Sequence, residues 1–311
     1  MVIVVGSLNM DLVVRAPKIP RPGETVLGSD FKQVPGGKGA NQADAASKLG
    51  AETAMLGAVG KDSMGDQLIQ ALKKDGVNVE MVLKKENLPT GVAAIVVEDS
   101  GNNAITVAPG ANSALTPDDL SGMEKVFEKA KVMLVQLETP IDTVKASLRM
   151  ARKNNVTTIL NPAPATELDD EIFSLVDILT PNETELELLS GMETDSIEKI
   201  EAAGKHLLKK GVSKLIITLG SQGSIHIEKD FVKLHPAYSV KAVDTTAAGD
   251  SFNAALAVSL AKGEPMENAI TFATKVGAMT VTKHGAQTSL PLMGEVLEFD
   301  AWYEKMKVEE R

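Results

Sequence analysis

Four apolar-rich runs, Val2 to Val5, Val132 to Leu137, Thr157 to Leu160 and Leu215 to Leu219, stand out from a chain that otherwise mixes polar and apolar positions. Runs without alternation are what a strand shows when both faces of its sheet are covered, so they predict central parallel strands. Between them lie amphipathic stretches with helix punctuation. Thr116-Pro117 and Thr139-Pro140 each set an N-cap threonine before a proline suited to the first helical position, and Gly76 and Gly211 follow amphipathic stretches as C-caps. The alternation predicts an α/β fold with a doubly wound, mostly parallel central sheet flanked by helices. Ligands of such sheets gather at the carboxyl ends of strands, where Asn9, Glu138, Asn161 and Gly220 fall.

Two stretches break the alternation. Asp11 to Val34 carries Leu12-Val13-Val14, proline-rich turns and Thr25-Val26-Leu27 without a helical period. Gly91 to Val107 reads as a hairpin, Val92 to Val97, a turn at Asp99-Ser100-Gly101-Asn102, then Ala104 to Val107. Together they predict a small β-sheet lid made of 11–34 and 91–107, inserted into an α/β core made of 1–10, 35–90 and 108–311. A sheet that small exposes an apolar face unless the main domain or a second subunit covers it.

Two motifs carry candidate chemistry. In Val243-Asp244-Thr245-Thr246-Ala247-Ala248-Gly249-Asp250-Ser251-Phe252-Asn253 an acid stands at the mouth of a helix whose apolar body runs from Ala254 to Ala261. The N–H groups near Ala247, Ala248, Gly249 and Asp250 then lack intrahelical acceptors and face an anion site. Gly249 lets a phosphate oxygen approach the backbone, and Asp250 could take a proton from a hydroxyl attacking phosphorus, although an acid in a first helical turn is also an ordinary cap or dipole partner. The second motif, Pro35-Gly36-Gly37-Lys38-Gly39-Ala40-Asn41-Gln42-Ala43, is a glycine turn opening a helix that stops at Gly50. It suits a hydroxyl-rich ligand lying on bare backbone with Lys38 and Asn41 as donors, or merely close helix packing. No Walker A loop and no Gly-x-Gly-x-x-Gly between strand and helix occurs.

Composition narrows the partners. With 42 acidic against 32 basic residues the net charge is −10, which argues against nucleic acid or an anionic membrane as partner. Absence of cysteine excludes disulfides, thiolate catalysis and cysteine-held metals. The start lacks the basic lead-in of a signal peptide and no apolar run approaches a membrane span, so a cytoplasmic protein is expected. The four histidines have no metal-ligand spacing.

The two glycine motifs resemble the two signatures of the ribokinase (PfkB) family of carbohydrate kinases. Further segments follow in that family's order: Gly6 to Asp11, Gln136 to Glu138, Asn161 to Pro164, Thr180 to Glu185, Thr218 to Gly223 and Gly285 to Ser289. The resemblance runs nearly end to end and implies ATP-dependent phosphorylation of the primary hydroxyl of a sugar, D-ribose giving ribose 5-phosphate. It implies Asp250 as base with the Ala248 and Gly249 N–H groups on the transferring phosphoryl, and Asn9, Asp11, Gly37, Lys38, Asn41 and Glu138 as sugar ligands. Asn182 and Glu185, on one face of a helix, correspond to the motif that organises Mg²⁺ and phosphate. Thr218, Gly220, Ser221 and Gly223, with Gly249, match the nucleotide loop, and Thr274 the adenine position, where histidine or asparagine is usual. Asp244, Thr246, Thr280, Lys283, Gly285 and Ser289 match a potassium site. Asp44 replaces a common small apolar residue and is expected to face solvent. Family lids pair in dimers, so a homodimer through the lid is implied. The alternatives are a sister kinase for 2-deoxyribose, fructose or a nucleoside, and a non-catalytic sugar or nucleotide sensor, to which retention of Asp250 would be pointless.

Overall fold

The protein is described by a computed structural model covering residues 1–309, so the last two residues of the expected core segment 108–311 lie outside the described residues. Among the described residues thirteen strands form, in chain order β1 (Val2–Val5), β2 (Asn9–Ala16), β3 (Asp30–Gly36), β4 (Thr53–Gly60), β5 (Asn78–Lys85), β6 (Gly91–Glu98), β7 (Asn103–Ala108), β8 (Val132–Val135), β9 (Thr157–Leu160), β10 (Ile178–Leu179), β11 (Lys214–Thr218), β12 (Ser224–Glu228) and β13 (Phe231–His235). Nine make one sheet in the order β13-β12-β11-β10-β9-β8-β1-β4-β5, parallel except where β12 meets β11 and β13. The other four make a separate small sheet, β3-β2-β6-β7.

The first strand shows why the apolar runs have no alternation. Val2 and Val4 pack into one core with Leu256 and Ile270, while Ile3 and Val5 pack into the core on the opposite face with Phe127 and Leu148. Both faces are covered, so every position along β1 is apolar and buried. The helix Ala248–Ala261 lies inside the first core between the helices Lys38–Lys48 and Met266–Thr280, and it is buried without interruption from Asp250 to Ser259. Burial on all sides explains the unbroken apolar run from Ala254 to Val258 within it.

Local punctuation departs from expectation in three places. Thr116 caps a 3₁₀ turn, Pro117–Leu120, in a reciprocal box with Asp119 rather than an α-helix. Pro140 is itself the N-cap of the helix Ile141–Lys153, so the helix begins one position later than predicted. The strand expected to reach Leu137 ends at Val135, because Gln136 turns inward and the Leu137 N–H donates to the Ala163 carbonyl. Gly76 and Gly211 follow their helices at φ of +87° and +122°, conformations that favour glycine.

In the small sheet β6 and β7 form the expected hairpin, with Val97 opposite Asn103. Gly6, Ser7 and Leu8 carry the chain from β1 to β2, so an inner strand of the small sheet begins at the carboxyl end of a central strand of the large one.

Candidate active site

Asp250 sits in the first turn of the helix Ala248–Ala261, buried, with both carboxylate oxygens engaged. Asn41 Nδ2 donates to Oδ2 at 2.9 Å and Gln42 Nε2 to Oδ1 at 3.0 Å, both from the helix Lys38–Lys48. Gln42 is fixed in turn, since Gln136 Nε2 donates to its Oε1 at 2.6 Å and its own amide reaches Asn161 Oδ1 at 3.2 Å. Behind the helix, Thr180 donates to Asn253, whose amide donates to the Gly249 carbonyl. The carboxylate is therefore aimed by buried amides, of which Gln42, Gln136 and Asn253 were not among the expected site residues. Their position inside the resembling motifs was the available signal.

The mouth of the helix is formed by Ala247 in the left-handed region, at φ 62°. This bends the backbone so that the Ala248 N–H donates to the Thr245 carbonyl at 3.2 Å. Of the two N–H groups expected at an anion, that of Ala248 is thus already engaged, while those of Gly249 and Asp250 have no acceptor among the described residues. A Cβ on Gly249 would meet no atom of the protein within 4 Å. The space beside it is open to a ligand.

Asn9, Asp11, Gly37, Lys38, Asn41 and Glu138 form a linked cluster beside Asp250, in which Asn41 bonds to it, Asp11 and Lys38 feel its charge, Glu138 accepts from Lys38, and Gly37 lies against Asn9. Gly36 leaves room for the Asp11 carboxyl, and Gly37, at φ 92°, lets the turn lie on the backbone of Ser7 and Leu8. Asn9 is buried, and Asn112, which the sequence did not single out, donates to its Oδ1 at 2.8 Å. Glu138 accepts from the Ser7 hydroxyl and from the Lys38 N–H at 3.2 Å. Burial, then the charges of Glu138 and Asp250, push the Asp11 carboxyl up to about 7 against the pull of Lys38. Burial alone would lower the Lys38 ammonium, but Asp250, Glu138, Glu185 and Asp11 around it leave it raised.

A cavity of about 660 Å³ opens on the far side of Gly249. It brings together Asn182, Thr218, Gly220, Ser221, Gly223, Ala248, Gly249 and Thr274, while Thr274 also donates to the Ile270 carbonyl within its helix. One wall, from Ala237 to Val240, is braced from behind, with Tyr238 edge-on to Phe299 and Tyr303, and the Tyr303 hydroxyl accepting from the Ser239 N–H. Asn182 and Glu185 do not share a helix face. Asn182 is the N-cap of the helix Glu183–Ser190 and the two form a reciprocal capping box, Asn182 Oδ1 accepting from the Glu185 N–H and Glu185 Oε2 from the Asn182 N–H. Burial raises the Glu185 carboxyl, its bond from Asn182 and the Lys38 charge oppose this, and Asp250 adds to it.

Of the six residues matched to a cation site, Thr246 and Gly285 are tied to Asp244, whose oxygens accept from their N–H groups, both at 2.9 Å. Burial pushes the Asp244 carboxyl up, but these bonds hold it below the ordinary carboxylate range. Lys283 points away to Glu295, and Ser289 and Thr280 are buried with hydroxyls bonded to carbonyls of their own segments. Among the described residues no group of three or more His, Cys, Asp or Glu side chains is placed to hold a metal ion. Asp44 corrects its expectation. It is wholly buried, with its Oδ2 2.9 Å from Lys48 Nζ, and burial raises its carboxyl to about 7.

The glycine-opened helix, the buried acid at a second helix mouth and the adjoining cavity define a phosphoryl-transfer enzyme on an α/β sheet. Residues 1–293 match the pfkB family carbohydrate kinase profile, and the chain belongs to that family. A ribokinase of Haemophilus influenzae is 40% identical over 95% of this chain and 97% of its own. A deoxyribokinase of Salmonella typhi is 37% identical over 95% and 97% respectively. In structure the chain is similar to Arabidopsis thaliana ribokinase complexed with ribose and ATP, with a TM-score of 0.91 and 34% identity, covering 96% of this chain and 97% of that one.

Proposed function

We propose that this carbohydrate kinase transfers the γ-phosphoryl group of ATP to the primary hydroxyl of D-ribose, with Asp250 as base. The observation that carries the reading is the place of Asp250, a buried carboxylate between the Asn41 side and the cavity reached past Gly249. Asp250 accepts the hydroxyl proton as the sugar oxygen attacks phosphorus in line, the new P–O bond forms, and the bond to the departing ADP breaks. The N–H groups of Gly249 and Asp250 face the equatorial oxygens, where charge grows. Lys38, kept protonated by four acids around it, balances charge between sugar and phosphate.

Asn9, Asp11, Gly37, Asn41 and Glu138 hold the sugar hydroxyls, and Thr218, Gly220, Ser221, Gly223 and Thr274 hold the nucleotide. Glu185 keeps one carboxylate oxygen outside its capping box, which suits an outer-sphere role toward Mg²⁺, an ion that keeps its waters and neutralises phosphate charge when bound. Asp244 with the carbonyls of Thr246, Thr280, Lys283 and Gly285, and Ser289 beside them, makes a donor set of low charge that fits potassium, whose role when bound is to stiffen the loop ahead of Asp250. Both Asp244 oxygens already accept N–H groups, in keeping with a site built mostly from carbonyls.

The test is release of ADP across a panel of sugars, with Asp250→Asn beside the wild type. Ribose should give the highest kcat/KM, and Asp250→Asn should keep ribose binding while kcat falls at least ~10²-fold, the usual contribution of a positioned base. Near-wild-type turnover in that variant would place the base elsewhere, and a clear preference for fructose would move the assignment to a sister kinase.

A further inference from the structure

Asp44 and Lys48 lie one turn apart on the helix Lys38–Lys48, further along it than the sugar ligands Lys38 and Asn41, and neither lines the cavity. Asp44 is fully buried, and the ammonium of Lys48, 15% exposed, stands 2.9 Å from its Oδ2 and 3.4 Å from Asp75 Oδ2. The same ammonium donates to the Gln287 carbonyl at 2.7 Å. Gln287 belongs to the segment whose Gly285 N–H holds Asp244, and Asp244 holds the Thr246 N–H just ahead of the helix mouth. At its opposite end the helix grips Asp250 through Asn41 and Gln42. One rigid rod, roughly 15 Å long at the α-helical rise, therefore meets the phosphoryl-transfer loop twice. Its first turn touches the base, and its last turn touches the segment that orients Asp244.

We propose that Lys48 is a positioning residue for phosphoryl transfer, fixing residues 285–289 through the Gln287 carbonyl and so setting the loop from Asp244 to Gly249 in register with Asp250. Asp44 anchors the ammonium, which explains a buried acid on a face otherwise lined by alanine. The proposal rests on the reading of Asp250 given above. The competing role for Lys48 is only to neutralise Asp44, and the two separate cleanly. A buried ion pair replaced by neutral side chains of similar size commonly keeps its stability, whereas removal of one partner does not.

The experiment uses the full chain carrying Lys48→Met, Asp44→Asn with Lys48→Met, and Lys48→Arg. The single Met variant should melt earlier than wild type and the double variant should recover most of that loss. Both should lose kcat by about tenfold or more, within what a small misplacement of reacting groups costs, while KM for the sugar stays within about twofold because the sugar ligands are untouched. Amide exchange of 244–249 should quicken in both, and Lys48→Arg should recover part of kcat. Wild-type kcat and unchanged exchange in the folded double variant would overturn the proposal and leave Lys48 as a counter-ion. Failure of the Asp250 reading would show separately, as undiminished turnover in Asp250→Asn.

Discussion

Asp11 reaches the site from the small sheet, and its charge state is set by what lies opposite it. With a folded value near 7 the folded protein favours the protonated acid. Its contribution to stability is fully present below the ordinary aspartate value and is lost as pH rises through about 7. Sugar binding favours the other form, since the ionised carboxylate offers both oxygens as strong acceptors to two vicinal hydroxyls, whereas the protonated acid turns one of them into a donor. KM for ribose should therefore fall as pH rises from about 6 to about 8, and Asp11→Asn should flatten that dependence. If the 2- and 3-hydroxyls are what Asp11 reads, Asp11→Ala lowers kcat/KM for ribose far more than for 2-deoxyribose, because losing a hydroxyl leaves a buried acceptor underbonded only where the carboxylate is present. An unchanged ratio between the two sugars would show that Asp11 reads something else.

At the scale of elements, the loop from Asp244 to Gly249 joins the matched cation residues to the helix mouth. If potassium stiffens this loop, turnover in potassium should exceed turnover in tetramethylammonium at equal ionic strength and Mg²⁺, and equal rates would remove the cation from the mechanism. The elements that were legible in the sequence are those with one dominant physical cause. β1, β9 and β11 are covered on both faces and read as apolar runs, and the β6–β7 hairpin announced itself by its turn. β4 is equally buried, yet Gly57 and Gly60 interrupt its apolar run; Gly57 lies against Leu8 and the Gly6 carbonyl, and Gly60 against the backbone of Leu88 and Thr90. The glycines that make β4 fit are those that hide it. Asp44 was misread for a related reason. The helix Lys38–Lys48 is buried from Gly39 through Ala46, so it has no solvent face from which a polar residue could be assigned. The spacing of Asp44 from Lys48 was the one usable cue. Gln42 and Gln136 escaped because amides carry no charge pattern, and their role appears only when distant segments meet.

The molecule as a whole presents one surface that the monomer leaves open. On the small sheet, the face bearing Asp11 also carries Val13, Ile95, Ile105 and Val107, as the strand register requires, and Ile105 and Val107 are 56% and 45% exposed. A homodimer joined through this sheet would cover them. Light scattering should then give twice the chain mass, and Ile105→Glu with Val107→Lys should give folded monomers; a monomeric wild type would sink the idea. No helix among the described residues is long and apolar enough to cross a membrane.

A kinase lives in a constant excess of ATP, and water is always at hand as a rival acceptor. Asp250 is aimed by one bond to each oxygen, from the amides of Asn41 and Gln42. On the reading proposed here, those two bonds leave each oxygen a free lone pair, so the carboxylate stays able to take a proton, and a stray water differs from the sugar in lacking the ligands that would aim it at phosphorus. Idle hydrolysis is then restrained by position rather than by hiding the base, and the fuel is kept until there is something to phosphorylate.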